Sequence, residues 1–327
     1  MCMKKQIILE ITKSLKILEM ELVRVNENEY KNYFNATFHI FNSVEFTELN
    51  KNKVDELFYL LFKNTKVRLG IVLGKRGNCL FSPFSAPFGG FSFLKEDVSI
   101  ETIDNSIKLL QEYSVNNKLP IKISLPPNFY SNDFVSKCIF SFLRSDFKTL
   151  YCDINYSFSL ESISDYKAKL WRNSRKNLNT SEKYELQFKR AEIVDDIQQA
   201  YSVIKANREN KGYPLRMDFE AVLATIKIIK SDFFNLYYNE ESIAAAQIFH
   251  ITDDVVQVIY WGDKPGFENL RPMNYLAYKI FEFYKGIGIK HVDIGPSSEN
   301  GIPNFGLCEF KESIGCSITN KFTFTYE

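Results

Sequence analysis

Histidine is scarce in this chain of 327 residues: His39, His250 and His291 are the only three. No two of them stand at a metal-ligand spacing such as HExxH, so the sequence gives zinc chemistry no support. The six cysteines, Cys2, Cys79, Cys138, Cys152, Cys308 and Cys316, form no CxxC pair and no dense framework. They are expected as free, buried small hydrophobes of a reducing compartment. A GxSxG nucleophile elbow, a GxxxxGK[ST] phosphate loop and a GxGxxG fingerprint are all missing. Excess charge is missing too, since 41 Lys and Arg face 40 Asp and Glu for a net charge of +1. No overall field then draws the chain to DNA or to an anionic membrane, and any polyanion site must be local. Long apolar runs are absent. The stretch Ile7-Ile8-Leu9 behind the basic Met1–Lys5 ends at Glu10, too soon for a secretory h-region, and Leu57 to Phe62 is too short to span a bilayer. A cytoplasmic location is the expectation, with no metal and no membrane span.

What is present is an ordinary globular composition, 45% apolar and 25% charged, which leaves little room for long disorder. The length suits two cores at about 150 residues each. Phenylalanine and tyrosine, 29 and 18 of them, are spread through alternating segments, as in a sheet-rich core. Period-2 alternation over Leu150, Cys152, Ile154, Tyr156, Phe158 and Leu160 predicts one long strand. Before it come a predicted hairpin, Val67–Leu73 with Cys79–Phe84, a helix behind Ser99, a strand over Ile121–Leu125 and a helix through Phe134–Phe142. The second half repeats the order: a hairpin of Ser242–Ile251 with Val255–Trp261, a helix from Pro272, a strand over Ile289–Ile294, a short helix within Phe305–Ile314 and a strand over Cys316–Tyr326. Corresponding elements lie about 170 residues apart, which reads as a duplicated domain and not as a short solenoid repeat. An introductory strand, Tyr184–Lys189, two helices, Ile193–Glu209 and Asp218–Lys230, and a strand, Phe233–Tyr238, complete the second half. Its order is then β-α-α-β-β-β-α-β-α-β. A helical, basic connector over Ser164–Thr180 places the boundary near Glu161, giving domains 1–160 and 161–327.

Several segments go beyond topology. Tyr260-Trp261-Gly262-Asp263, Asn269-Leu270-Arg271-Pro272-Met273-Asn274, Asp293-Ile294-Gly295-Pro296-Ser297-Ser298-Glu299 and Pro303-Asn304-Phe305-Gly306-Leu307-Cys308-Glu309-Phe310-Lys311 resemble bacterial tandem-GNAT, FemAB-like acyltransferases. In the first half, Ser82 to Gly90 and Leu125 to Tyr130 resemble the same group. The resemblance covers nearly the whole chain and implies an α/β architecture of two GNAT-like domains in tandem, each a mixed, mainly antiparallel sheet flanked by helices. It implies transfer of an acyl group from acyl-CoA to an amine of a small molecule such as a cell-envelope amino sugar or amino acid, with the first half a degenerate copy. Fold likeness does not fix the substrate. Two alternatives stay open: a FemABX-like enzyme that takes an aminoacyl group from tRNA to a peptidoglycan precursor, and a non-catalytic binding protein.

The resemblance also assigns residues. In GNAT enzymes a Gln/Arg-x-x-Gly-x-Gly/Ala loop holds the CoA pyrophosphate on backbone N–H groups at a helix N-terminus. Here Arg271 keeps the charged position, Asn274 and Leu276 fill the small ones, and Pro272 removes a donor. Arg271, Met273, Asn274 and Tyr275 are therefore the cofactor candidates. Asp293, at a strand end beside Gly295, is a candidate base or, equally, a cap on the loop to Glu299. Glu299 is the second base candidate, and Tyr260 a candidate acid for a leaving thiolate. Arg208, Tyr213 and Arg216, around Gly212 and Pro214, are acceptor-pocket candidates, joined by Trp261, Ser297, Asn304 and Lys311. Phe88 and Gly89 would face the cleft if the halves pair, or form a turn that lets them pack closely. Lys167, Lys169, Arg172, Arg175 and Lys176 make a basic helix that is either a solvated face or the tRNA contact of the alternative reading.

Overall fold

The computed structural model describes residues 20–327, so Cys2 and the stretch Met1–Glu10 lie outside the described residues. The first half runs β1 (Glu21–Val25), α1 (Glu27–Tyr33), α2 (Val44–Leu49), β2 (Glu56–Lys63), β3 (Val67–Arg76), β4 (Cys79–Ser82), β5 (Phe91–Phe93), α3 (Ile100–Asn117), β6 (Ile121–Ser124), α4 (Asn132–Arg144) and β7 (Lys148–Ser159). The second runs α5 (Tyr166–Lys169), α6 (Arg172–Ser181), β8 (Gln187–Arg190), α7 (Val194–Asn210), α8 (Phe219–Thr225), β9 (Ser231–Tyr238), β10 (Glu241–His250), β11 (Val255–Asp263), α9 (Pro272–Gly286), β12 (His291–Pro296), β13 (Ser298–Glu299), β14 (Ile302–Pro303), α10 (Phe305–Ser313) and β15 (Ser317–Tyr326).

Local chemistry explains the boundaries. Ser99 accepts the Thr102 N–H at 3.1 Å and starts α3, and Pro272 opens α9 at a position where no N–H is needed. The basic connector, expected as one helix, breaks at Leu170, whose ψ of 139° is extended. The Trp171 N–H is drawn instead to the Ser313 carbonyl at 3.1 Å, and a tertiary bond outweighs local propensity there.

All the strands but β13 and β14 join one 13-stranded sheet in the order β1-β2-β3-β4-β6-β15-β7-β12-β11-β10-β9-β8, with β5 on β3. The order reads the same from either end once β1, β2, β3, β4, β6 and β7 are matched to β8, β9, β10, β11, β12 and β15. Each half's last strand is exchanged: β7 pairs antiparallel with β12, and β15 with β6. The two exchanged strands pair with each other from Ser157↔Ser317 to Lys148↔Thr325. One apolar core lies beneath α9 and another beneath α3 and α4. A third, with Phe41, Phe88 and Tyr130 from the first half and Phe249, Ile251 and Val255 from the second, cements the halves.

His39 sits at this third core, in ring contact with Phe38, Phe41 and Phe88. Burial, only weakly opposed by the Gly89 backbone, pushes its pKa from 6.5 down to about 3. The unfolded chain therefore takes up this proton first, and stability from a neutral His39 is kept above pH 6.5 and lost as pH falls towards 3. Acid unfolding should show a loss of about 1.4 kcal/mol per pH unit over that window, and His39→Phe should flatten it. Strand exchange gives a second expectation. Residues 161–327 expressed alone should be insoluble, for want of β7 beside β12, and should be recovered in soluble form when residues 1–160 are co-expressed.

Candidate active site

The strands β11 and β12 are parallel and pair only over Val255–Gln257 with His291–Asp293. Beyond that rung β11 continues to Asp263 while β12 turns off at Gly295, whose φ of 73° lies in the left-handed region. The strands part, and a V opens between them. Ile259 is bulged, because Gln247 faces Tyr260 while Ile248 faces Val258. The bulge aims Tyr260 away from the α9 core, towards α7.

At the base of the V stands Asp293, with no exposed surface. Its Oδ2 accepts the Tyr130 hydroxyl and the Gln257 amide, each at 2.7 Å. Its Oδ1 accepts the Asn155 amide at 2.9 Å and the Gly295 N–H at 2.8 Å. A carboxylate has about four acceptor sites, and here four donors occupy them. The loop-cap role weighed for Asp293 is therefore the one its bonds describe, and the carboxylate has no free site for an acceptor's proton. Burial, then the Asp293 charge, raises the Tyr130 pKa well above the usual tyrosine value, so Tyr130 stays protonated and keeps donating. Lys311 is also buried and donates to the Gly295 and Pro296 carbonyls at 2.8 and 2.9 Å. Burial pushes its pKa down to about 8, against the pull of Asp293. It braces the turn after β12 and is not presented to solvent.

Six sequence candidates do come together at the lip of the V. The Arg208 guanidinium lies over both Tyr213 and Tyr260, at 5.4 and 5.2 Å from the ring centres, and donates to the Pro214 carbonyl at 3.0 Å. The Tyr260 hydroxyl accepts the Arg216 N–H at 3.3 Å, which leaves its own proton free to donate. Asn304 reaches the Tyr213 hydroxyl at 3.1 Å and caps α10 through Leu307. Arg216 and Glu299, both largely exposed, approach to 3.8 Å. Gly262 explains part of the Tyr260–Asp263 motif: a Cβ there would lie 2.4 Å from the Asn207 side chain, which crosses to the Asp263 carbonyl. That close approach seats α7, and Arg208 with it.

The other candidates fall elsewhere. Trp261 points to the opposite face, against Phe310 at 6.1 Å between ring centres. Phe88 is fully buried against Tyr130 and His39, and a Cβ on Gly89 would meet Ser82 and the Pro83 nitrogen within 3 Å. These two are packing residues of the junction, the turn reading, and do not reach the cleft. Arg271, exposed and left-handed at φ 55°, precedes α9, whose first turn has no side-chain cap. Among the described residues no side chain takes the N–H groups of that turn, apart from the one Pro272 lacks, so they can face an anion. Asn274 is buried and donates to Ser174, which bonds Ser313, so it holds α6 against α9. Met273 and Tyr275 pack half-buried on the core beneath α9. In the basic connector Arg175 donates to the carbonyls of Lys167, Ala168 and Leu170, and Lys167 pairs with Glu182. Lys169, Arg172 and Lys176 are exposed. Sequence reasoning missed Gln257 and Asn155, though each is a lone amide in its strand's pattern. Among the described residues no group of three or more His, Cys, Asp and Glu is placed to hold a metal, and no helix is long and apolar enough to cross a membrane.

No protein-family profile and no characterised sequence matches the chain significantly. Solved structures do. The chain is similar to FemX at a TM-score of 0.65 and 11% identity, over 94% of this chain and 97% of that one. It is similar to L-PGS from Bacillus licheniformis at 0.58 and 14%, over 92% of each. A tandem GNAT protein from the clavulanic acid biosynthesis pathway gives 0.52 and 7%, over 94% and 98%. The chain has this tandem GNAT fold, shared with FemX, as its duplicated strand order already shows. At such identities the likeness is one of fold.

Asp293→Asn tests the cap directly. The amide turns two N–H groups towards donors, so the protein should lose about 2–4 kcal/mol, read as a lower chemical-denaturation midpoint at unchanged m.

Proposed function

We propose that the chain is an acyltransferase that moves an acyl group from acyl-CoA to the amine of a small molecule. The observation that carries this reading is the V between β11 and β12, flanked on one side by the uncapped start of α9 with Arg271 and on the other by the Tyr260, Arg208 and Tyr213 cluster. A donor with phosphates fits the first side, because N–H groups and a guanidinium attract anions. A polar acceptor fits the second. The amine nitrogen attacks the thioester carbonyl, the carbon–sulfur bond breaks, and the thiolate takes the Tyr260 proton. The proton lost by nitrogen goes to water, which returns one to Tyr260, and the exposed Glu299 stands on the same lip against Arg216. No covalent enzyme intermediate is required, so catalysis rests on positioning and on proton transfer.

Thermal shift tests the reading. Acetyl-CoA at millimolar concentration should raise the melting temperature by mass action. Arg271→Ala should weaken donor binding by the roughly 1.5–3 kcal/mol of a charge-assisted hydrogen bond. Tyr260→Phe should instead cut turnover by about 10² or more with donor binding intact. A shift with uncharged tRNA that fades steeply with salt, and none with any CoA, would replace this reading by the aminoacyl-tRNA one. The exposed Lys169, Arg172, Lys176 and Arg271 would then carry the contact.

A further inference from the structure

The V holds polar groups that none of the described residues satisfies. On β10 the residues Ala244, Ala246 and Ile248 enter the core beneath α9, so Ala245, Gln247 and Phe249 face the other way, towards α7 and the junction. Gln247 is 1% exposed, and its Nε2 has no hydrogen-bond partner. It lies opposite Tyr260, while Phe249 lies opposite Gln257. Gln247 and Gln257 are therefore neighbours on one face, at the foot of the Tyr260 cluster.

Gln257 is fixed in a way that few amides are. Its Nε2 donates to Asp293, and a carboxylate only accepts, so the amide cannot be flipped. Its Oε1 must face away from Asp293, and there it meets no donor, although the residue is 3% exposed. Ser297, 2% exposed, adds a third unpartnered atom, its Oγ. Its carbonyl holds the N–H of Asn304, whose side chain reaches Tyr213. A buried polar atom without a partner destabilises the fold. Three of them around one cluster call for a ligand that completes them.

Their chemistry limits that ligand. Gln257 offers an acceptor, while Gln247, whose amide no bond holds in one orientation, and Ser297 can each donate or accept, and none carries charge. A carboxylate or phosphate would satisfy Gln247 but confront the Gln257 oxygen with a second acceptor. An ammonium would satisfy Gln257 but bury its charge against three groups that carry none. A neutral group that donates and accepts side by side satisfies both. We propose that Gln247 and Gln257 form a subsite for a carboxamide or peptide unit of the acceptor, next to its reacting amine. Asp293 is then a positioning residue that orients Gln257. This rests on the acceptor side of the V assigned above and goes beyond it in naming the group recognised.

The experiment compares L-alaninamide with L-alanine methyl ester, which keeps the amine and the carbonyl and loses the amide N–H. In a thermal-shift titration the amide should stabilise the wild type, and the ester should bind about fivefold to tenfold more weakly. Gln247→Met keeps the volume and removes the orphan. It should leave the free protein as stable or raise its melting temperature by about 1–2 °C, and it should abolish the preference for amide over ester. Gln247→Leu should behave alike. Equal shifts from amide and ester would overturn the proposal, as would a drop in melting temperature in both variants, which would mean that the Gln247 amide has an internal partner. A shift by D-glucosamine that depends on Gln247, without one by alaninamide, would overturn it in favour of sugar hydroxyls. Acetyl-CoA in the same plates separates the two readings. Loss of its shift with the amide preference intact rejects the donor assignment alone, and the reverse rejects the subsite alone.

Discussion

A single buried carboxylate holds this molecule's parts in register. Asp293 receives a hydroxyl from Tyr130 in the first half, amides from Asn155 on β7 and Gln257 on β11, and the N–H of Gly295 in its own loop. A buried charge is tolerable only while its hydrogen bonds are made. Each of those four segments must therefore be in place for the others to be stable. The rung also marks where β11 and β12 stop pairing, so the group that binds the halves together sets the depth of the cleft between the strands. The exchanged strands β7 and β15 reinforce the same tie, because neither half owns all the strands of its own sheet.

Function follows from the rigidity that this gives. The bulge at Ile259 turns Tyr260 towards α7, the absence of a side chain on Gly262 lets Asn207 bring α7 close, and Arg208 thereby reaches the faces of Tyr213 and Tyr260. The cluster is set on strand and helix, where a reacting group is held more firmly than on a loop. On the other side α9 begins without a cap, in a left-handed Arg271 that leaves the first turn open. Uncapped N–H groups, a phenol with a free proton and unpartnered neutral amides are features that stability alone would remove, and they occur together at this cleft.

Much of the architecture was legible in the chain. Alternation over Leu150 to Leu160 located β7, Ser99 located α3, and the repeat in element order disclosed the duplication, because these signals are local. The exchange of β7 and β15 was not legible, since a strand's pattern states which face is buried and not which strand lies beside it. Residues 20 to 66, with β1, α1, α2 and β2, gave little, because the helices are short and their faces are buried by distant partners. At the site, motif positions placed Tyr260, Arg208, Tyr213, Arg216, Glu299 and Asn304 together. The same motifs misjudged side chains whose direction depends on tertiary contacts: Trp261 faces the other side of the sheet, Asn274 is taken by Ser174, and Lys311 is enclosed by the Gly295–Pro296 turn. Gln257 and Asn155 were visible as polar residues within strands, but their meaning lies in Asp293, which the fold brings to them.

The claim on which the rest depends is that Asp293 couples the two halves, and a double-mutant cycle between Tyr130→Phe and Asp293→Asn measures it. Denaturant unfolding of the wild type, both single variants and the double variant gives the coupling free energy. Residues sharing one buried network should show a coupling of about 1–3 kcal/mol, with the second substitution costing much less once the first is present. Strictly additive losses would contradict the account, for they would mean that Tyr130 and Asp293 stabilise their own halves independently and that no single group holds the cleft.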